Sequence, residues 1–238
     1  MHKYINEVDL LKFFEAQRIR PGFTIAVIGI NDGLTSGGGD LYEEPIFEFL
    51  NKNVQISAIL IEPVKVVFEK LKKNYKLHQN DLTFLNCAVG GKFSYEKIIV
   101  QGDNGTTSTL HHGHLSPSEM SKRVTQDIFV FPFFVCAELS NKSVIEFIKI
   151  DAEGFDKVIL HSILDNYEKS GSPKFIQWED NSPDDTNYLD HPKLENFEIY
   201  FSGGINKFHQ KPFGRDKIAI HRNFDLSNIA VDIESIAI

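Results

Sequence analysis

A chain of 238 residues, 42% hydrophobic and 24% charged, is long enough for one large α/β domain and too short for two comfortable ones. Its formal charge of −8, from 25 Lys and Arg against 33 Asp and Glu, argues against a nucleic-acid partner, whose phosphates call for basic surface. Cys87 and Cys136 show no CxxC spacing, so a disulfide framework or a cysteine zinc site is not expected, and a reducing intracellular compartment fits.

No apolar run reaches the length of a membrane span, and MHKYINEVDLLKFFEAQ is broken by charges rather than built as a signal peptide. The expectation is a soluble, cytoplasmic protein without a membrane partner. In that opening stretch Val8, Leu11 and Phe14, with Ile19 beyond, repeat at helical spacing until the breaker Arg20-Pro21-Gly22. FTIAVIGI (23–30) is a short β-branched run that stops at Asn31-Asp32-Gly33, the pattern of a strand buried on both faces. SGGGDLYEE reads as a flexible loop, and PIFEFLNKN as a helix with Pro45 at its start. ISAILIEP (56–63) is a second buried strand, VKVVFEKLKKNYKLH an amphipathic helix, and LTFLNCAVG (82–90) a third strand. Strand and helix in alternation predict half of a doubly wound sheet.

The middle is less regular. YEKIIVQ and DIFVFPFFVCAEL alternate well enough to read as strands, and GDNGTTSTLHHGHLSPSEMSKR lies between them as a long polar loop. Loops of that length are usually functional or disordered. FIKI then gives a strand, DKVILHSILDNYEKSG a helix, and KFIQWED, NFEIYFSG and DKIAIHR three further strands.

Ligands of open α/β sheets bind outside the carboxyl ends of the strands. Those ends carry Gly29, Asn31, Asp32 and Gly33, then Glu62, then Cys87 and Ala88, then Asp151 and Glu153, then Asp180 and Asn181. Taken singly, each acid also reads as a turn residue or helix cap. The turn GINDG lets backbone approach a ligand closely, yet Asn31 stands where a dinucleotide fingerprint has its second glycine. That spacing disfavours a nicotinamide cofactor. Glu62 can accept two hydroxyls of an adenosine ribose, which suits S-adenosylmethionine as well as NAD.

IGINDG, LIEPVKVVFEKLKKNY, FLNCAVGG, STL and above all FIKIDAEGFDKVIL together resemble the FkbM family of S-adenosylmethionine-dependent methyltransferases, over roughly residues 23–180. The resemblance implies the class I methyltransferase (Rossmann-like) fold, an α/β domain with helices on both faces of a mostly parallel seven-stranded sheet. It also implies O-methylation of sugar or polyketide hydroxyls. Within it Gly29, Asn31, Asp32 and Gly33 fall on the cofactor-binding turn, Glu62 with Pro63 on the ribose acid, and Cys87 with Ala88 on the adenine side. Asp151, Glu153 and Gly154 fall on the acidic motif, and Asp151 counts among the cofactor contacts as well. Val27 departs from the pattern, since the family's first turn usually opens with an aspartate, and Asp32 and Asp40 are the acids placed to compensate. The domain reading is an N-terminal helical segment at 1–22, a methyltransferase domain at 23–222 and a tail at 223–238.

Methyl transfer to oxygen needs a hydroxyl held in line and a base or metal for its proton. Asp151 is the first candidate base, with Glu153, His112 and Asp180 as further catalytic candidates. His111, His114 and His209 are of the same kind. Catechol-type methyltransferases place an acid after one strand and an Asp-Asn pair after the next, so Asp151, Asp180 and Asn181 form a candidate Mg²⁺ set. The acceptor class is a small-molecule or carbohydrate substrate. Two other readings stay open, a non-catalytic methyltransferase-like binding module and an NAD-linked oxidoreductase.

Overall fold

The computed structural model describes residues 5, 7–16, 22–34, 45–100, 108, 110, 123–152, 154–180, 189–202, 204–206, 211–213 and 216–223. Four short apolar runs form the centre: β1 (Thr24–Ile28), β2 (Ser57–Ile61), β7 (Phe147–Ile150) and β8 (Phe175–Glu179). In β1, β2 and β7 every residue is buried, which only a strand covered on both faces can be. With β3 (Asp81–Leu85), β9 (Phe197–Phe201) and β12 (Asp216–His221) they make a seven-stranded sheet in the order β3-β2-β1-β7-β8-β12-β9. Strand β12 runs antiparallel to β8 and β9, and the pairs among β3, β2, β1, β7 and β8 are parallel. This is the sheet the family resemblance implies.

The chain winds outward from β1 to β3 and then crosses back to lay β7 beside β1. In open sheets of this kind ligands bind where the winding reverses, which here is at the carboxyl ends of β1 and β7. Three helices, α1 (Glu7–Ala16), α2 (Pro45–Lys52) and α3 (Lys65–Asn74), cover one face through Phe14, Phe49 and Leu71. Two others, α4 (Phe133–Leu139) and α5 (Asp156–Asp165), cover the opposite face through Phe133, Leu160 and Ile163.

A smaller sheet, in the order β4-β6-β5, stands beside the large one and is built from β4 (Ala88–Val89), β5 (Ser94–Ile99) and β6 (Thr125–Phe131). A short hairpin pairs β10 (Gly204–Asn206) with β11 (Lys211–Phe213). Two sequence expectations are corrected here. The single third strand over 82–90 is broken: Asn86 turns its amide to Glu62 O and Pro63 O at 2.9 Å each, and Ala88–Val89 leaves to pair with β6. The run DIFVFPFFVCAEL is half strand and half helix. Pro132 has no N–H for the ladder, and Phe133, Cys136 and Ala137 then bury one helical face.

Phe14 ties α1 to the sheet. Its ring lies 4.9 Å from Phe175, 5.2 Å from Phe23 and 5.7 Å from Phe147, centroid to centroid. Removing a ring packed on three others leaves a cavity, so Phe14→Ala is expected to cost about 3–5 kcal/mol in urea unfolding. A cost under about 1 kcal/mol, the range of surface changes, would mean that α1 is not docked this way.

Candidate active site at the carboxyl edge of the sheet

The turn after β1 is made of three left-handed residues in five, Gly29 (φ 79°), Asn31 (φ 59°) and Gly33 (φ 74°). Gly29 is required twice over, by its φ and by space: a Cβ there would stand 1.8 Å from the carbonyl oxygen of Asp151. Asp151 N–H in turn donates to Ile28 O at 2.9 Å, so the ends of β1 and β7 are pressed together backbone to backbone. At Gly33 a Cβ would meet the Tyr75 ring at 2.3 Å. The next residue back on α3's end, Asn74, donates to Asp32 O at 2.8 Å, and Leu34 N–H donates to the Asp32 carboxylate at 3.0 Å. The loop is clamped from beneath.

Glu62 closes the turn from the side. Its Oε2 accepts Asn31 N–H at 3.0 Å and its Oε1 accepts Val64 N–H at 2.7 Å, so one carboxylate bridges the loops after β1 and β2. The residue is 5% exposed. Burial is the main cause that pushes its pKa up to about 7. The two backbone donors work against that rise, and the charges of Asp151 and Asp32 add to it. Pro63 O accepts from Asn86 and from Gln126 Nε2 (3.0 Å), while Gln126 Oε1 accepts Lys65 N–H at 2.9 Å. Gln126 thus fastens the small sheet to the loop after β2.

Asp151 follows β7 directly and is exposed. Gly154 (φ 90°) then turns the chain into α5. Asp156, fully buried at the first position of α5, matches Glu62 in kind. Its carboxylate accepts Ala152 N–H at 3.3 Å and Glu179 N–H at 3.4 Å, linking the loop after β7 to β8. Burial first, then the charge of Asp151, raises its pKa to about 7. Asp216, which pairs in register with Glu179, is raised to about 7 by burial and then by Glu179.

The structure therefore brings Gly29, Asn31, Asp32, Gly33, Glu62, Pro63 and Asp151 to one crevice. Cys87 and Ala88 lie behind it, both buried, with Cys87 Sγ 4.0 Å from Cys136 Sγ and Ala88 packed against Val64. Val27 sits in the apolar core below the turn. Asp180 is placed differently from its sequence reading. It is 2% exposed, and its carboxylate holds the ammonium of buried Lys217 on β12. That pairing argues against the catalytic and metal roles expected of Asp180. No group of three His, Cys, Asp or Glu side chains arranged to hold a metal occurs among the described residues. Glu153, His112, Asn181, His111, His114, His209 and Asp40 lie outside the described residues. Asp156, Asn86 and Gln126 escaped the sequence reading. Only Asp156 left a signal, as the acid closing DAEGFD at a helix start.

A doubly wound sheet with a single antiparallel strand, a glycine turn after β1 and an acid after β2 defines the class I methyltransferase architecture. The model of the methyltransferase FkbM domain matches residues 28–198, and the chain belongs to that family. A solved FkbM methyltransferase from Methylobacillus flagellatus KT shares the fold at 13% identity and a TM-score of 0.51, over 91% of this chain and 48% of that one. The METTL16 MTase domain does so at 8% identity and a TM-score of 0.50, over 92% of this chain and 66% of that one. The chain thus spans about half the length of the first and about two thirds of the second. Among curated proteins none matches it.

Two outcomes follow from these contacts. Glu62, Asp156 and Asp216 hold protons in the folded state that the unfolded chain gives up near ordinary carboxylate pKa values. The stability contributed by these three groups is therefore complete below those ordinary values and is lost as pH rises toward about 7. Thermal melts should show Tm falling between pH 5 and pH 8, with a shallower fall in Asp156→Asn; an unchanged slope would contradict the buried-acid account. For the ion pair, Lys217→Met alone should cost about 3–5 kcal/mol, and Lys217→Met with Asp180→Leu should recover most of it. A double variant no more stable than the single one would overturn the structural reading of the pair.

Proposed function

We propose that the protein transfers a methyl group from S-adenosylmethionine to a hydroxyl of a sugar or other polyhydroxylated metabolite. The observation that carries this reading is the Glu62 carboxylate at the carboxyl end of β2, beside a glycine turn held open by left-handed backbone. Each carboxylate oxygen accepts one backbone N–H and keeps a further lone pair, so the pair of oxygens can still take both hydroxyls of a ribose. The donor set and the turn fit the cofactor. A side chain at residue 29 would collide with the Asp151 backbone and push the turn away from the end of β7.

Bound there, S-adenosylmethionine supplies an electrophilic methyl group on a sulfonium. Glu62 would hold the ribose, and the backbone of residues 29–33 would line the methionine end. Asp151, exposed and joined to that turn through Ile28, would take up the proton that the acceptor hydroxyl gives up on methylation. The metal reading is not carried forward, because Asp180 is engaged by Lys217. A binding module without chemistry is the second reading, favoured by one observation: apolar Val27 fills the position of the family's first-turn acid.

Calorimetry should show S-adenosylhomocysteine binding to the wild type and a loss of at least about tenfold, ~1.4 kcal/mol, in Glu62→Ala. Absence of binding to the wild type would end the cofactor claim. With a working acceptor, Asp151→Asn should lower kcat by about 100-fold or more, a larger loss than any it causes in cofactor affinity. Binding without turnover on any hydroxyl acceptor would favour the module.

A further inference from the structure

Lys149 is a charged residue inside β7, a strand otherwise made of Phe147, Ile148 and Ile150, and it is buried. A buried ammonium is held only where a partner offsets its lost hydration. That partner comes from α1. Glu7, the first residue of the helix, places Oε1 2.9 Å from Lys149 Nζ, with the two side chains 16% and 11% exposed. The other carboxylate oxygen of Glu7 accepts Gln177 Nε2 at 3.3 Å. Gln177 on β8 is the register neighbour of Lys149, so Glu7 bridges β7 and β8 from the α1 face.

Lys149 stands two residues before Asp151. Phe147 packs against Phe14 on the α1 face, and strand alternation puts Lys149 on that face too. Two residues of strand span roughly 6–7 Å, within reach of a lysine's four-carbon stem. The ammonium therefore has two carboxylates to choose between, Glu7 on α1 and Asp151 at the end of β7. Among the described residues the further acids here are Glu179 on β8 and Asp216 on β12, and β1 offers Val27 as the register neighbour of Lys149. Burial first, then Glu179 and Glu7, raise the pKa of Asp216 to about 7, against Lys149 and with a smaller push from Asp151. Glu7, Lys149 and Asp151 thus share one local field.

We infer that Glu7 is a positioning residue for methyl transfer: by holding the Lys149 ammonium toward α1, it keeps Asp151 basic enough to take a proton. An ammonium settled on Asp151 would favour the charged carboxylate and weaken it as a base. Loss of the Glu7 charge acts twice, because it releases Lys149 and deletes a neighbouring anion, and both changes lower carboxyl pKa values in the cluster. α1 thereby contributes to the site from outside residues 28–198, the part of the chain that the family model matches. The inference rests on the reading of Asp151 as proton acceptor, and adds to it the residue that sets the strength of that base.

The test is a ¹³C NMR titration of the aspartate side-chain carboxyls in the full chain, with the Asp151 signal identified by its loss in Asp151→Asn. Glu7→Gln is expected to lower the Asp151 midpoint by about one pH unit, and Lys149→Met to raise it by a similar amount. A merely structural pair gives no such opposite signs from two variants that break the same contact. Glu7→Gln combined with Lys149→Met leaves no unpaired buried charge and should bring the midpoint back toward the wild-type value, which keeps the test intact if Lys149→Met alone does not fold. An unchanged midpoint in Glu7→Gln, or one that moves the same way in both single variants, overturns the inference. Calorimetry with S-adenosylhomocysteine on the same samples separates the two readings. Binding with an unmoved midpoint overturns this inference alone, whereas moved midpoints without binding uphold the control of Asp151 by Glu7 and end the methyltransferase reading it serves.

Discussion

The carboxylate of Glu62, buried between the N–H groups of Asn31 and Val64, is the constraint on which the site depends. An ionised carboxyl is costly to take from water, and here two backbone donors offset part of that cost. What the arrangement secures is position. The loops after β1 and β2 cannot move apart without breaking one of the two bonds, so the crevice keeps its shape between them. Asp156 performs the same task across the gap from β7 to β8. Between the two acids, Gly29 lets the β1 turn settle onto the carbonyl of Asp151. The edge of the sheet is thus fastened at both sides of the switch point by acids that the fold holds at a cost to its own stability near neutral pH.

Much of this was legible in the sequence, for a physical reason. β1, β2 and β7 are buried on both faces, so they survive in the sequence as apolar runs that no solvated element would tolerate. The acids and glycines that punctuate those runs then fall on the carboxyl edge by topology alone. Glu62 and the 29–33 turn were found that way. What stayed hidden depends on partners far along the chain. Asn86 breaks the third strand by reaching to residues 62 and 63, and Gln126 holds the same loop across 63 positions. No local pattern announces either contact. Phe133–Leu139 read as strand because its apolar content is as high as a strand's, and only Pro132 marked the change.

Asp180 shows the limit of reading roles from strand ends. The acid after β8 is where the sequence put it, but its partner Lys217 lies 37 residues away on the antiparallel strand. A buried ammonium turns an apparent ligand into half of an internal ion pair.

The central claim is that Glu62 is both the brace of the crevice and the acceptor for the cofactor's ribose. Hydroxyls that donate to a carboxylate favour its charged form, so binding must release the proton that free Glu62 holds below about pH 7. The most direct measurement is titration calorimetry of S-adenosylhomocysteine at pH 6 in buffers of different ionisation enthalpy. Glu62 as described predicts proton release on binding, affinity that rises with pH and levels off above about 7, and loss of both effects in Glu62→Gln. Binding with no proton exchange and no pH dependence would contradict it.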